Sequence, residues 1–409
     1  MLSSPLHLDP SSQLQQLHGP QTSLKKMSLS STPKSTSSNN TNSSVIFDDE
    51  VSELDIQRAN AVSADNLALA ARLNMPYIPD QIFIGGRKSL LAVAQSQIIK
   101  GLIKKTFTNM ACPILALTTL GDHVQNKPLY SFGGKALWTK ELEILLLQDL
   151  GEYHKLDLVV HSLKDMPTNL PEEFELGCIV EREDPSDAVV MSKNSPYTCL
   201  EELPAGSVVG TSSVRRSAQL KRNLPHLVFE SVRGNLQTRI RKLDDPETPF
   251  ACIILATAGL VRVGLEHRIT QRLDSKLMYH AVGQGALGIE IRKGDAIMQS
   301  ILSTIENKNA TVCCYAERAL MRTLEGGCSV PIGVWTTFDE TTGILNLKGM
   351  VVSVDGQKCI EDEITVHIGD DYKADADLAG QNLADQMKEK GAKEILDEID
   401  FNKINEKDE

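Results

Sequence analysis

A chain of 409 residues exceeds what one hydrophobic core organises, since single cores stop growing at roughly 250–300 residues, so two or three domains are expected. Apolar residues at 41% and charged residues at 23% exclude a wholly disordered or fibrous chain, and no run of about 18 uninterrupted apolar residues is present to span a membrane. The formal charge of −12 speaks against a nucleic-acid partner, which would call for a surplus of Lys and Arg.

In chain order, residues 1 to about 45 are rich in Ser, Thr, Asn, Gln and Pro and have too few apolar groups to offset chain entropy, so disorder is expected. A targeting role is the alternative for this segment, although it lacks arginine and a clear amphipathic helix. Residues 53–75 show helical periodicity and are expected to dock weakly or not at all. From residue 81 onward, short β-branched runs predict strands over 81–85, 114–119, 156–160, 188–191, 207–210, 252–256 and 287–292. Helices are expected between them over 90–105, 140–149 and 214–223. This alternation predicts an α/β architecture with largely parallel sheets. Beyond about residue 305 the order changes to a helix over 311–324, strands over 344–354 and 358–367, and a helix over 374–390, the pattern of a small α+β domain.

Charge divides unevenly along this scheme. Residues 361–409 hold 16 acidic and 6 basic side chains, whereas residues 205–245 hold 8 basic and 3 acidic ones. The eight cysteines include no CxxC pair, which suits free thiols in a reducing, cytoplasmic setting better than a disulfide framework or a zinc ribbon.

Four segments carry candidate chemistry. Ile84-Gly85-Gly86-Arg87-Lys88-Ser89 joins a strand end to a helix start, where free backbone N–H groups and Arg87 suit an anion. Val208-Val209-Gly210-Thr211-Ser212-Ser213-Val214-Arg215-Arg216 repeats that logic, and Arg233, Arg239 and Arg262 follow the next strands. Ligands of open α/β sheets bind beyond the carboxyl ends of strands, so these arginines are expected to converge on a polyanion. In Leu158–Pro167 a buried strand runs into His161, Ser162, Lys164 and Asp165, and Pro167 stops any helix. Asp165 beside Lys164 is placed to stabilise a cation or move a proton; no GxSxG elbow supports a hydrolase reading. In Glu325-Gly326-Gly327-Cys328, two glycines leave the sulfur open to a large group, whereas Cys313 and Cys314 read as packed structural thiols.

Taken together and in order, IGGRKSLLAVAQ, LGDHV, GGKALWTKELE, DLVVHSLKDMPT, GTSSVRRSAQL, SVRGNLQTR, ATAGLVRVGL, HAVGQGALGIEIR and ERALMRTLEGGCSVPIG resemble the porphobilinogen deaminase (hydroxymethylbilane synthase) family over about residues 82–400. The resemblance implies two α/β lobes like those of periplasmic binding proteins around a cleft, and a small α+β domain bearing the cofactor cysteine. The corresponding divisions are an extension over 1–76, a first lobe over 77–183 and 283–305, a second over 184–282, and a third domain over 306–409. It implies a dipyrromethane cofactor held by a thioether to Cys328, and stepwise condensation of four porphobilinogen molecules with loss of ammonia, by a transferase in tetrapyrrole and heme biosynthesis. Asp165 matches the catalytic aspartate. Lys164, Ser212, Ser213, Arg215, Arg216, Gly234, Arg239, Ala256 and Gln284 match cofactor ligands. Arg87, Ser89, Gln95, Ser162, Arg233, Arg262 and Lys135, the last in a loop over the cleft, match substrate ligands. A monomer is implied, with no metal, nucleic acid or membrane partner. Two residues depart from the common pattern, Gly86 where many members have Thr and Trp138 where Phe is common. A non-catalytic two-lobed anion binder is the competing reading, and Cys328 discriminates against it, because a binder has no use for a covalent primer.

Overall fold

In the computed structural model, which describes residues 45–47, 64–118, 139–151, 153–324 and 330–399, the β-branched runs assemble into three sheets. The chain begins β1 (Val45–Phe47), α1 (Ala64–Arg72), β2 (Ile84–Arg87), α2 (Leu90–Thr106), β3 (Ile114–Leu117), α3 (Lys140–Leu147), β4 (Leu158–Ser162) and β5 (Phe174–Ile179). It continues through β6 (Asp187–Met191), β7 (Val208–Gly210), α4 (Val214–Asn223), β8 (Val228–Glu230), α5 (Leu236–Asp244), β9 (Phe250–Ala256), α6 (Thr257–Arg262) and β10 (Gln271–Leu273). It closes with β11 (Leu287–Arg292), α7 (Ala296–Ser303), α8 (Lys308–Thr323), β12 (Ile332–Asp339), β13 (Ile344–Val352), β14 (Cys359–His367), α9 (Tyr372–Glu389) and α10 (Ala392–Asp397).

The first sheet has the order β1-β3-β2-β4-β11-β5, the second β10-β6-β9-β7-β8 and the third β12-β13-β14. The α/β class and the small C-terminal sheet-and-helix unit agree with the sequence pattern. The expectation of largely parallel sheets does not hold. β2 runs parallel to β3 and β4, and β7 to β8 and β9, but β11 is antiparallel to both β4 and β5, and β6 is antiparallel to β9. The reason is the route of the chain: it leaves the first sheet after β5, builds the second, and returns as β11, so the returning strand enters against the direction of its neighbours.

Strand alternation fills both faces of the first sheet. Leu158 and Val160 face one core with Ile99 and Ile103 of α2 and Ile301 of α7, while Val159 faces another with Leu142, Leu145 and Leu146 of α3. The second sheet likewise places Val189, Val209 and Ile254 on one side and Ala188, Val190 and Ile253 on the other. Strands buried on both faces explain the near-continuous apolar runs that the sequence shows. The stretch expected to dock weakly ends in α1, which with the residues after it buries Ala70 and Met75 in the first-sheet core.

Two segments link the first and second sheets, residues 180–186 and 274–286. Gly285 in the second adopts φ +84°, and a Cβ there would lie 2.2 Å from the Glu183 carbonyl oxygen, so only glycine lets the two links touch. The Glu183 N–H also donates to the Gly285 carbonyl at 3.2 Å, so the two links are hydrogen-bonded as well as closely packed.

Candidate functional site

β4 delivers the first candidate residues. Its buried strand ends in a short 3₁₀ turn, Leu163–Asp165, whose flanking side chains Leu163 and Met166 are buried. The Leu163 N–H donates to the Ala286 carbonyl at 3.0 Å. Arg318 of α8 donates to the carbonyls of Met166 at 3.3 Å and Pro167 at 2.6 Å. A turn pinned on both sides presents Asp165 exposed and Lys164 half-buried.

The arginines come from the second sheet. Ser213 caps α4, its hydroxyl accepting the Arg216 N–H at 3.4 Å. That start places Arg215 and Arg216, both buried, against Asp187, the first residue of β6. Arg215 Nη1 donates to Asp187 Oδ2 and to the Tyr279 carbonyl, both at 2.7 Å. Arg216 donates to Asp187 Oδ1 from Nε at 2.9 Å and from Nη2 at 2.7 Å, and from Nη1 to the Ile254 carbonyl at 2.9 Å. Gln284, from the returning link, donates to the same Oδ1 at 3.0 Å and to the Pro185 carbonyl at 2.7 Å. Ser212 donates its hydroxyl hydrogen to the Val232 carbonyl at 2.6 Å, and Arg233 Nε donates to the Ser231 hydroxyl beside it at 3.1 Å. Arg239 Nε donates to the Gly234 carbonyl at 2.8 Å, and Arg262 Nη2 to the Gly285 carbonyl at 2.6 Å. Ala256 pairs in register with Asp187 and opens α6.

The first segment expected to bind an anion lies at the start of α2. The Ser89 hydroxyl accepts the Ala92 N–H at 3.3 Å as the helix cap, and half-buried Arg87 ends β2. Gln95, buried one turn further on, donates to the Ser162 hydroxyl at 2.8 Å and so ties α2 to the strand that carries Asp165. At Gly86 a Cβ would lie 2.6 Å from the buried Ser96 hydroxyl, which occupies the space of the missing side chain.

Electrostatics bind these groups into one cluster. Burial pushes the Lys164 ammonium down to about 8, against the pull of Asp165 and Asp187 and with the push of Arg216 and Arg215. Burial alone would raise the Asp187 carboxyl, but the two guanidiniums outweigh it and hold the group well below the usual carboxylate range. Burial, assisted by Arg216 and opposed by Asp165, brings Arg239 down to about 10, and burial opposed by Glu183 does the same for Arg262. A site that lowers its own cations is one that gains from an anionic ligand.

The structure thus brings together Lys164, Asp165, Arg215, Arg216, Arg239 and Gln284, with Arg262 joined through Gly285. Gln95 connects to them through Ser162, Arg87 and Ser89 stand at the start of the helix that carries Gln95, and Ser212 and Arg233 meet at Ser231. Lys135, Trp138 and Cys328 lie outside the described residues. Cys313 and Cys314 are buried in α8, and burial pushes the Cys314 thiol up to about 12, in keeping with a packing role. Sequence reading passed over Asp187 and Arg318. The signal for the first was an acid heading the apolar run Ala188-Val189-Val190; the second carried none beyond a charge on an apolar helix face.

Comparison with known proteins gives a consistent result. The family description "Porphobilinogen deaminase, dipyromethane cofactor binding domain" matches residues 82–300, and "Porphobilinogen deaminase, C-terminal domain" matches residues 311–389. The porphobilinogen deaminase of Candida albicans is 63% identical over 322 residues, 79% of this chain and 94% of the relative. That of Saccharomyces cerevisiae is 61% identical over 326 residues, 80% of this chain and 99% of the relative. Among solved structures, a putative methionine-binding lipoprotein from Bacillus subtilis overlaps 56% of this chain and 91% of its own length, at 14% identity and a TM-score of 0.35.

Proposed function

We propose that this chain, which belongs to the porphobilinogen deaminase family, joins four porphobilinogen molecules head to tail with loss of ammonia on a dipyrromethane cofactor and releases linear hydroxymethylbilane. The observation that carries this reading is the convergence of Asp165 with Lys164, Arg215, Arg216 and Arg239 at the strand ends. Each porphobilinogen brings two carboxylates, and a growing chain of them needs many guanidinium partners.

The residues present fit the cofactor. Pyrrole rings offer N–H donors and carboxylates. Gln284 Oε1 is a buried acceptor with no partner among the described residues, suited to a pyrrole N–H. Asp187 and two backbone carbonyls take five guanidinium hydrogens of Arg215 and Arg216, which leaves the other five for carboxylates. The Ser213 hydroxyl accepts in its cap and retains its hydrogen to donate; the Ser212 hydroxyl hydrogen is already given to Val232, so Ser212 shapes the loop or turns to bind. When bound, the dipyrromethane supplies the free pyrrole α-carbon to which the next ring is joined.

In this reading Cys328 holds the cofactor by a thioether. Lys164, Ser212, Ser213, Arg215, Arg216, Gly234, Arg239, Ala256 and Gln284 line its site. Arg87, Ser89, Gln95, Ser162, Arg233, Arg262 and Lys135 receive the substrate's carboxylates. Exposed Asp165 accepts pyrrole N–H bonds, stabilises the cation formed as ammonia leaves, and moves the proton released on bond formation. Its pinned turn means that no reorganisation is needed at that moment. We read the chain as a transferase acting as a monomer in the cytoplasm, a setting that suits described cysteines lying outside any disulfide. Three sheets support a division into lobes at about residues 77–183 with 283–305, 184–282 and 306–409.

Incubation of the purified protein with porphobilinogen tests the reading. Hydroxymethylbilane, measured as uroporphyrin after acid cyclisation and oxidation, is expected; porphobilinogen left unconsumed would overturn it.

A further inference from the structure

Asp187 stands apart from the groups that face ligand. It is 1% exposed, and one carboxylate takes four hydrogen bonds, three of them at 2.7–2.9 Å from Arg215 and Arg216 and one at 3.0 Å from Gln284. With its oxygens engaged by protein donors it has no call on substrate. It heads β6, directly after the first link between the sheets, while Gln284 lies in the second, so one side chain joins the start of β6 and the returning link to α4. Two guanidiniums side by side in a buried site repel each other, and a shared carboxylate is what lets them pack together before any anionic ligand arrives.

We propose that Asp187 is a positioning residue for the reaction: it holds Arg215, Arg216 and Gln284 in the orientation that receives the pyrrole carboxylates and N–H groups, and it acts only through them. This rests on the reading of those three residues as cofactor ligands. Asp187→Asn keeps the shape, removes the charge and sets an amide N–H against a guanidinium donor. The paired planes then have no common acceptor, and the bonds of Arg215 to the Tyr279 carbonyl and of Arg216 to the Ile254 carbonyl loosen with them. Lys164 feels the change as well. The charged groups acting on it are Asp165 on its own turn, Arg215 and Arg216 from α4, and Asp187 from β6; losing the last leaves Asp165 alone of these to oppose the two guanidiniums.

A double-mutant cycle combined with a crystal structure tests the proposal. Asp187→Asn is expected to lower kcat about tenfold or more with a smaller change in KM, and to move the alkaline limb of the pH profile to lower pH. In the Arg215→Gln/Arg216→Gln background, adding Asp187→Asn should lower kcat by less than about twofold, and because it removes the buried carboxylate that the arginine substitutions leave unpaired, the triple variant should be no less stable in urea than the double one. The crystal structure of Asp187→Asn should show the two guanidiniums parted, a result that does not depend on turnover and so stands separately from the assigned reaction. Unchanged guanidinium positions, wild-type kcat in Asp187→Asn, or a full further loss in the arginine-free background would each overturn it.

Discussion

Lys164 offers a test in which stability and function move in opposite directions. The half-buried ammonium is brought from its ordinary value of 10.5 down to about 8, chiefly by burial, so the folded chain carries a charge it disfavours. A difference of that size corresponds to about 3 kcal/mol against the charged form. Lys164→Met keeps the length of the side chain and removes the charge. In a Cys328→Ala background, which lacks the proposed attachment point and hence the carboxylates that would repair the deficit, the Met variant should be more stable at pH 7 by up to about 3 kcal/mol. The pH dependence follows from the sign of the shift. Below about pH 8 both folded and unfolded chains are protonated at Lys164, and the penalty is complete. Between about 8 and 10.5 the folded chain releases the proton while the unfolded chain keeps it, so wild-type stability rises relative to Met and the gap closes. Urea unfolding at pH 7 and at pH 10 reads both effects, and turnover in the cysteine-bearing Met variant should fall about tenfold or more. A Met variant less stable than its parent at pH 7, or a gap that ignores pH, would refute the reasoning.

Other consequences are simpler to state. Asp165 is exposed, and solvent screens its attraction for Lys164 and Arg239, so Asp165→Ala should unfold within about 1 kcal/mol of wild type while hydroxymethylbilane formation falls by about 10²–10⁴. Arg318 is buried and gives two hydrogen bonds to the turn that carries Asp165; Arg318→Leu should cost about 2–3 kcal/mol in urea unfolding and lower kcat about tenfold with little change in KM.

Much of the fold was legible because its signals are local. The helix over 214–223 appears with the bounds read from the sequence, since Ser213 supplies a cap and Leu224 and Pro225 end the run. β5 and β12 were not read as strands. Gly177 interrupts the first, and Pro331 and Gly333 punctuate the start of the second, so both depend on tertiary partners: β11 for the one and β13 for the other. The parallel bias failed for the same reason, because strand direction in the first sheet is set by a return through a separate domain. At the site, residues following a strand and a glycine were easy to single out. Asp187 was not, because it becomes a clamp only when Arg215 and Arg216, 28 and 29 residues away, reach it. Arg318 meets the turn from 152 residues away.

Intact-mass spectrometry of the purified protein tests the central claim most directly. The wild-type chain should carry an added mass equal to a dipyrromethane, and Cys328→Ala none. A wild-type chain of unmodified mass that nevertheless consumes porphobilinogen would contradict it.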